Sequence, residues 1–167
     1  MYSVNAPVPG RVRHLADRLH PELLSFDAIR DSHSILVKRL GNEGFDRIAE
    51  RTRRVIAGTP PIEAAVTDID YFENPTRGPA PVVYLTVESP GLERLHGRLV
   101  DDLGAIDDLE GPDYTMHVTL ARGGDLADAR RLARREIDAI SWTISELQFW
   151  DARHERVIRR IPLPARP

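Results

Sequence analysis

The chain contains no cysteine. That excludes a disulfide scaffold, a thiolate nucleophile and any cysteine-ligated zinc or iron–sulfur centre. Lysine is nearly absent as well: Lys38 is the only one, so arginine carries almost all of the positive charge. No apolar run approaches the roughly 20 residues that cross a bilayer. No block of like charge occurs either; the net charge is −3, with acids and bases interleaved. Bulk electrostatics therefore give no reason to expect tight binding of duplex nucleic acid, although a local basic groove is compatible with that balance. The opening residues, MYSVNAPVPGRVRH, lack a basic stretch followed by an apolar core and do not read as a signal peptide. The expectation is a cytoplasmic protein that makes no use of a membrane. No His-Glu-x-x-His or similar ligand spacing is present, so neither a metal nor another cofactor is expected.

What is there is the composition of an ordinary folded domain. The 167 residues are 41% hydrophobic, enough for one core, and the expectation is a single domain over residues 1–167 and a monomer. Apolar residues at alternate or helical spacing predict the elements in order. Tyr2 to Val8 reads as a strand, and residues 11–24 as a helix with Val12, Leu15, Leu19 and Leu23 on one face. Asp31 to Leu40 reads as a second strand, closed by Gly41, and Phe45 to Ile56 as a second helix. Ile62 to Phe72 and Val82 to Val87 are rich in β-branched residues and read as strands. Pro90-Gly91 opens a helix carrying Leu92, Leu95, Leu99 and Leu103. The acidic stretch 107–113 reads as a loop, 115–121 as a strand, and Asp125 as the cap of a helix reaching about Asp138. Trp142 to Trp150 and Val157 to Leu163 read as a closing hairpin. Strand, helix, strand, helix, strand thus occurs twice. The pattern predicts an α+β fold of two pseudo-symmetric lobes, each a small antiparallel sheet backed by helices, with a central cleft.

Two strands carry a histidine at their start. In His117-Val118-Thr119-Leu120, side-chain alternation puts His117 and Thr119 on one face and the apolar pair on the other. His33-Ser34-Ile35-Leu36 is a weaker echo 84 residues earlier. Two such strands side by side would bring two imidazoles to one pocket. His14, His20 and His96 fall on helices and His154 in the last turn, where a solvated or half-buried structural role is the simpler reading.

Tyr114-Thr115-Met116-His117-Val118-Thr119-Leu120-Ala121-Arg122 is similar to the second motif of the two-histidine phosphoesterases, specifically the 2′-5′ RNA ligase and RNA 2′,3′-cyclic phosphodiesterase branch. That branch carries two His-x-Thr/Ser motifs, one per lobe. The resemblance extends over nearly the whole chain in length, motif spacing and element order. It departs in the first motif, where Ile35 stands at the hydroxyl position, and at Met116, where the family often has proline.

The resemblance implies metal-independent hydrolysis of a 2′,3′-cyclic phosphate at an RNA or nucleotide end to a 2′-phosphate, with 2′-5′ ligation as its reverse. His33 and His117 would be the catalytic pair, one neutral imidazole activating water and one imidazolium protonating the leaving ribose oxygen. Thr119 would donate to a non-bridging phosphate oxygen. Ser34, Lys38 or Arg39 would supply the phosphate contact that Ile35 cannot, with a β-bulge needed to bring Ser34 round. Arg122 would hold phosphate or RNA backbone and Tyr114 would stack a base. The competing expectations are a module that binds RNA ends or nucleotides with a decayed first motif, and a related enzyme acting on another phosphoester, such as an ADP-ribose cyclic phosphate or a 2′-5′ oligoadenylate.

Overall fold

The computed structural model describes residues 1–42 and 44–164. Its elements follow the expected order: β1 (Tyr2–Pro7), α1 (Gly10–Leu23), β2 (Ala28–Ile29), β3 (Ser34–Gly41), α2 (Phe45–Ile56), β4 (Ile62–Phe72), β5 (Val82–Glu88), α3 (Pro90–Leu103), β6 (His117–Arg122), α4 (Leu126–Ala133), β7 (Ile140–Ile144), β8 (Glu146–Asp151) and β9 (Arg156–Pro162). A 3-10 turn, Gly111–Asp113, interrupts the acidic loop before β6. The helices form where the apolar stripe predicts. In α1 that stripe buries Val12, Leu15, Leu19 and Leu23. In α3 the stripe of Leu92, Leu95 and Leu99 is fully buried, and the Ser89 hydroxyl caps the helix by accepting the Leu92 N–H at 3.2 Å. No described helix is long and apolar enough to cross a membrane.

The strands make two antiparallel sheets, one of order β3-β1-β8-β9 and one of order β2-β6-β5-β4-β7. One apolar cluster runs through both and includes Val4, Val37, Leu85, Leu99, Leu120 and Phe149. The α+β class, the antiparallel sheets and the helical backing are as the sequence predicts. The membership of the sheets is not simply first half and second half. β4, from the first half, pairs with β5 and β7, and the C-terminal β8–β9 hairpin completes the sheet of β1 and β3. The two halves thereby exchange strands.

Two local expectations need correction, and one short strand carries no sequence signal. Trp142 to Trp150 is not one strand: it breaks at Ser145, so β7 pairs with β4 while β8 pairs with β1. The Ser145 carbonyl accepts the Leu163 N–H at 2.8 Å, which ties the crossing to the end of the chain. The last helix stops at Ala133 rather than near Asp138, because its final N–H groups tighten to partners three residues back, Arg134 onto Arg131 and Arg135 onto Leu132. Finally, the two-residue strand Ala28–Ile29 adds to the edge of β6, a pairing too short to leave a periodic signal.

A cleft with one imidazole

The site is built by two bulged strands. Along β3, Lys38 faces Val4 and Leu36 faces Asn5, so Val37 is an extra residue; along β6, Ala121 faces Val83 and Thr119 faces Tyr84, so Leu120 is extra. Each bulge shifts the alternation by one and sends an arginine to the same face as the residues before it. The cleft side of β6 is therefore His117, Thr119 and Arg122, and the cleft side of β3 is Ser34, Leu36 and Arg39. All three pairs are related by one offset of 83 residues, and so are the two bulges. The strand facing His117 thus offers a serine where a second imidazole was expected, and a leucine opposite Thr119.

The cleft has two arms that share Leu36, Arg39, His117 and Arg122. One arm runs toward Phe72, Pro75, Leu109 and Tyr114. The other runs over the β1 and β8 strands, toward Ser3, Asn5 and Trp150.

His117 is fixed for a defined role. Its Nδ1 lies 2.7 Å from the Thr115 carbonyl, which must accept the ring proton, so Nε2 carries the free lone pair. Phe72 packs edge-on against the imidazole at 5.2 Å and Tyr84 at 5.1 Å, which fixes the ring plane. Burial holds the His117 pKa below the usual 6.5, against the Thr115 hydrogen bond, and the Arg122 and Arg39 charges push it lower still. The ring is neutral at pH 7 and becomes a better proton acceptor once an anion offsets the arginines.

The arginines make the cleft an anion site. Arg39 and Arg122 lie at its junction, with Arg77 in one arm and Arg30 in the other. Desolvation is the first cause lowering the pKa of both Arg39 and Arg122. The Glu110 charge opposes it at Arg39 while Arg77 adds to it, and at Arg122 the charges of Arg30 and Arg39 add to it; both remain charged at any working pH. Arg122 is steadied by donating from Nη1 to the Arg77 carbonyl at 2.8 Å. Among the described residues none of the four forms an ion pair within 4.0 Å. Asp108 and Asp113 line one arm and Glu155 the other, but none pairs directly with these arginines. Guanidinium groups free of a direct carboxylate partner and converging on one concave surface favour a phosphate or carboxylate between them.

Behind β3 lies a second polar group with a different purpose. Lys38 does not face the cleft. Its side chain is 3% exposed and its Nζ meets the Glu110 carboxylate at 2.6 Å, so the expected phosphate role is corrected to a buried ion pair. The same Glu110 accepts the Arg39 N–H at 2.9 Å and the Ile106 N–H at 3.0 Å. His96 is also buried there. Its Nδ1–H donates to the Val37 carbonyl at 2.7 Å and its Nε2 accepts the Gly111 N–H at 3.0 Å, so both nitrogens are used and the ring is neutral. Tyr114 stacks on His96 at 3.7 Å and donates its hydroxyl to the Leu36 carbonyl at 2.8 Å. These contacts satisfy the outer edge of β3 at its bulge and hold the loop that forms the cleft wall. Tyr114 lines the cleft, but one face of its ring and its hydroxyl are already engaged.

Of the residues singled out from the sequence, the structure brings His117, Thr119, Ser34, Arg39, Arg122 and Tyr114 to the cleft. His33 is not brought there. It precedes β3, lines neither arm, and is surrounded electrostatically by Asp17 and Arg13 of α1, with burial as the main cause of its lowered pKa. Ile35, taken as the hydroxyl position, is fully buried in the core. Arg30, Arg77, Phe72, Tyr84 and Asn5 were missed. The signal for the β3 register was present: Leu36-Val37-Lys38-Arg39 repeats the spacing of Thr119-Leu120-Ala121-Arg122. Aligning on arginine rather than on histidine finds it.

A model of the 2′-5′ RNA ligase superfamily matches residues 29–156. No curated protein sequence matches the chain. Among solved structures, TT0787 of Thermus thermophilus is similar over 99% of both chains, with a TM-score of 0.71 and 16% identity. LigT of E. coli complexed with NADP+ is similar over 97% of this chain and 96% of its own, with a TM-score of 0.64 and 18% identity. The same protein complexed with 3′-AMP gives a TM-score of 0.63 at 16% identity, over 98% and 94%. At these identities the structures establish a shared fold, and the match over most of the sequence establishes the lineage: the chain belongs to the 2′-5′ RNA ligase superfamily of two-histidine phosphoesterases.

Proposed function

We propose that the cleft binds the phosphate at the end of a ribonucleotide or RNA strand, and that it does so as a binding site with half of an acid–base pair and little turnover. The observation that supports this reading is that Ser34, and not His33, lines the cleft together with His117. Arg39 and Arg122 would clamp the anion, Thr119 would donate to a non-bridging oxygen, and His117 would take up a proton and donate it in turn. That LigT has been solved with 3′-AMP and with NADP+ supports a nucleotide as the occupant.

Hydrolysis of a cyclic phosphate needs a base for water and an acid for the departing ribose oxygen. One imidazole cannot fill both roles in the same step, and a serine hydroxyl is too weak an acid to stand in. The sequence resemblance by itself favours the two-histidine enzyme, whereas the cleft geometry favours the binding module.

The test is calorimetric titration with a 2′,3′-cyclic nucleotide, whose phosphate stays a monoanion across the working pH range. Wild-type protein is expected to bind it, and Arg39→Ala or Arg122→Ala to weaken binding by about 10- to 100-fold, the scale of one charge-assisted hydrogen-bonded contact. Unchanged affinity in both variants would remove the phosphate site from this cleft.

A further inference from the structure

Four aromatic side chains line the cleft or pack on its imidazole, and three of them are engaged. Phe72 and Tyr84 pack against His117, and Tyr114 is stacked on His96 with its hydroxyl on the Leu36 carbonyl. The fourth is Trp150. It sits on β8 directly opposite Ser3 of β1, is half-buried, and lines the arm that runs over the four-stranded sheet. Among the described residues it has no aromatic partner.

The surface beside it is polar and ordered. The Ser3 hydroxyl donates to the Asn5 side-chain carbonyl at 2.7 Å, and the Asn5 amide donates to the Ser34 hydroxyl oxygen at 2.8 Å. Ser3 and Asn5 are only 4% and 6% exposed, so this row is held rigidly under the arm. Because Ser34 Oγ accepts from Asn5, its own hydrogen remains available to donate toward the cleft. An indole face beside a directed hydroxyl, with the arginine junction at the other end of the same arm, matches a flat ring attached through a ribose to a phosphate. A bare sugar phosphate would leave the indole uncovered.

We propose that Trp150 is the stacking platform for the base of the nucleotide held at this cleft. This rests on the phosphate reading above. Stacking of a base on an aromatic side chain is tolerant of base identity, so the proposal concerns the presence of a base and not its sequence.

The chain has two tryptophans, and Trp142 lies on β7 of the other sheet, so a Trp142→Phe protein reports on Trp150 alone. Titrating it with 3′-AMP should quench the indole fluorescence, whereas ribose 3-phosphate should bind without quenching. 3′-AMP should bind on the order of 10-fold or more tighter than ribose 3-phosphate, and Trp150→Leu should abolish that difference while keeping the affinity for ribose 3-phosphate. Binding of 3′-AMP without quenching, or a preference for it that survives Trp150→Leu, would overturn the proposal. If ribose 3-phosphate binds and 3′-AMP gains nothing, only the base subsite falls; if neither binds, the phosphate reading falls with it.

Discussion

Ser34→His should raise the hydrolysis of a 2′,3′-cyclic nucleotide by about 10²- to 10⁴-fold over the wild-type chain, the range that a positioned general acid or base contributes. Position 34 is the one place on β3 that corresponds to His117 on β6, and the cleft arm there is open enough to be lined by Ser32, Ser34 and Arg30. An imidazole at this site would face the same junction as His117 and complete the acid–base pair. Leu36→Thr in the same chain would restore the hydroxyl opposite Thr119, and a transition-state hydrogen bond of that type adds about 10²–10³ more. The assay is release of the 2′-phosphate product in the presence of chelator. A wild-type rate that Ser34→His fails to improve would mean that this cleft does not run the two-imidazole reaction, or already runs another one.

Lys38→Met should cost about 3–5 kcal/mol of folding stability, a large share of the roughly 5–15 kcal/mol of a whole domain. The cause is not the lost attraction alone. Removing the ammonium leaves the Glu110 carboxylate buried at 2% exposure with two backbone N–H donors and no directly paired cation, the Arg39 charge acting on it only beyond ion-pair distance. The effect should spread beyond stability. Glu110 ties the Ile106–Tyr114 loop to β3 through Ile106 and Arg39, so loosening it should also weaken ligand binding at the cleft wall. Urea unfolding checks the first part, and a loss below about 1 kcal/mol would show that the pair is solvated and dispensable.

The regular elements were legible because each carries a periodic apolar pattern that its burial then follows. Ile62–Phe72 and Phe45–Ile56 stand where alternation and the helical stripe put them. What was not legible depends on contacts between distant segments. Nothing in Trp142–Trp150 distinguishes one nine-residue strand from two that part at Ser145, because the break exists only relative to β4 and β1. Lys38 looks like a phosphate contact because it is a lone cation in an apolar strand, and its carboxylate partner lies 72 residues away. At His33 the error is one residue of register, and in a strand one residue is the whole difference between the cleft face and the opposite face. Histidine was the more conspicuous landmark; the arginine three residues beyond Leu36 and beyond Thr119 was the reliable one.

Ser34, and not His33, lines the cleft with His117, and histidine ring resonances followed by NMR across pH test most directly whether a single imidazole serves the site. In the free protein His117 should titrate below 6.5, because burial and two arginines disfavour its charge. Saturation with a 2′,3′-cyclic nucleotide should move that midpoint up, since the bound anion offsets Arg39 and Arg122 and stabilises the imidazolium. Binding then takes up a proton, and affinity rises as pH falls through the interval between the free and bound midpoints. The His33 midpoint should stay where it was. Parallel movement of His33 and His117 on ligand addition would contradict the account and restore two imidazoles to one cleft.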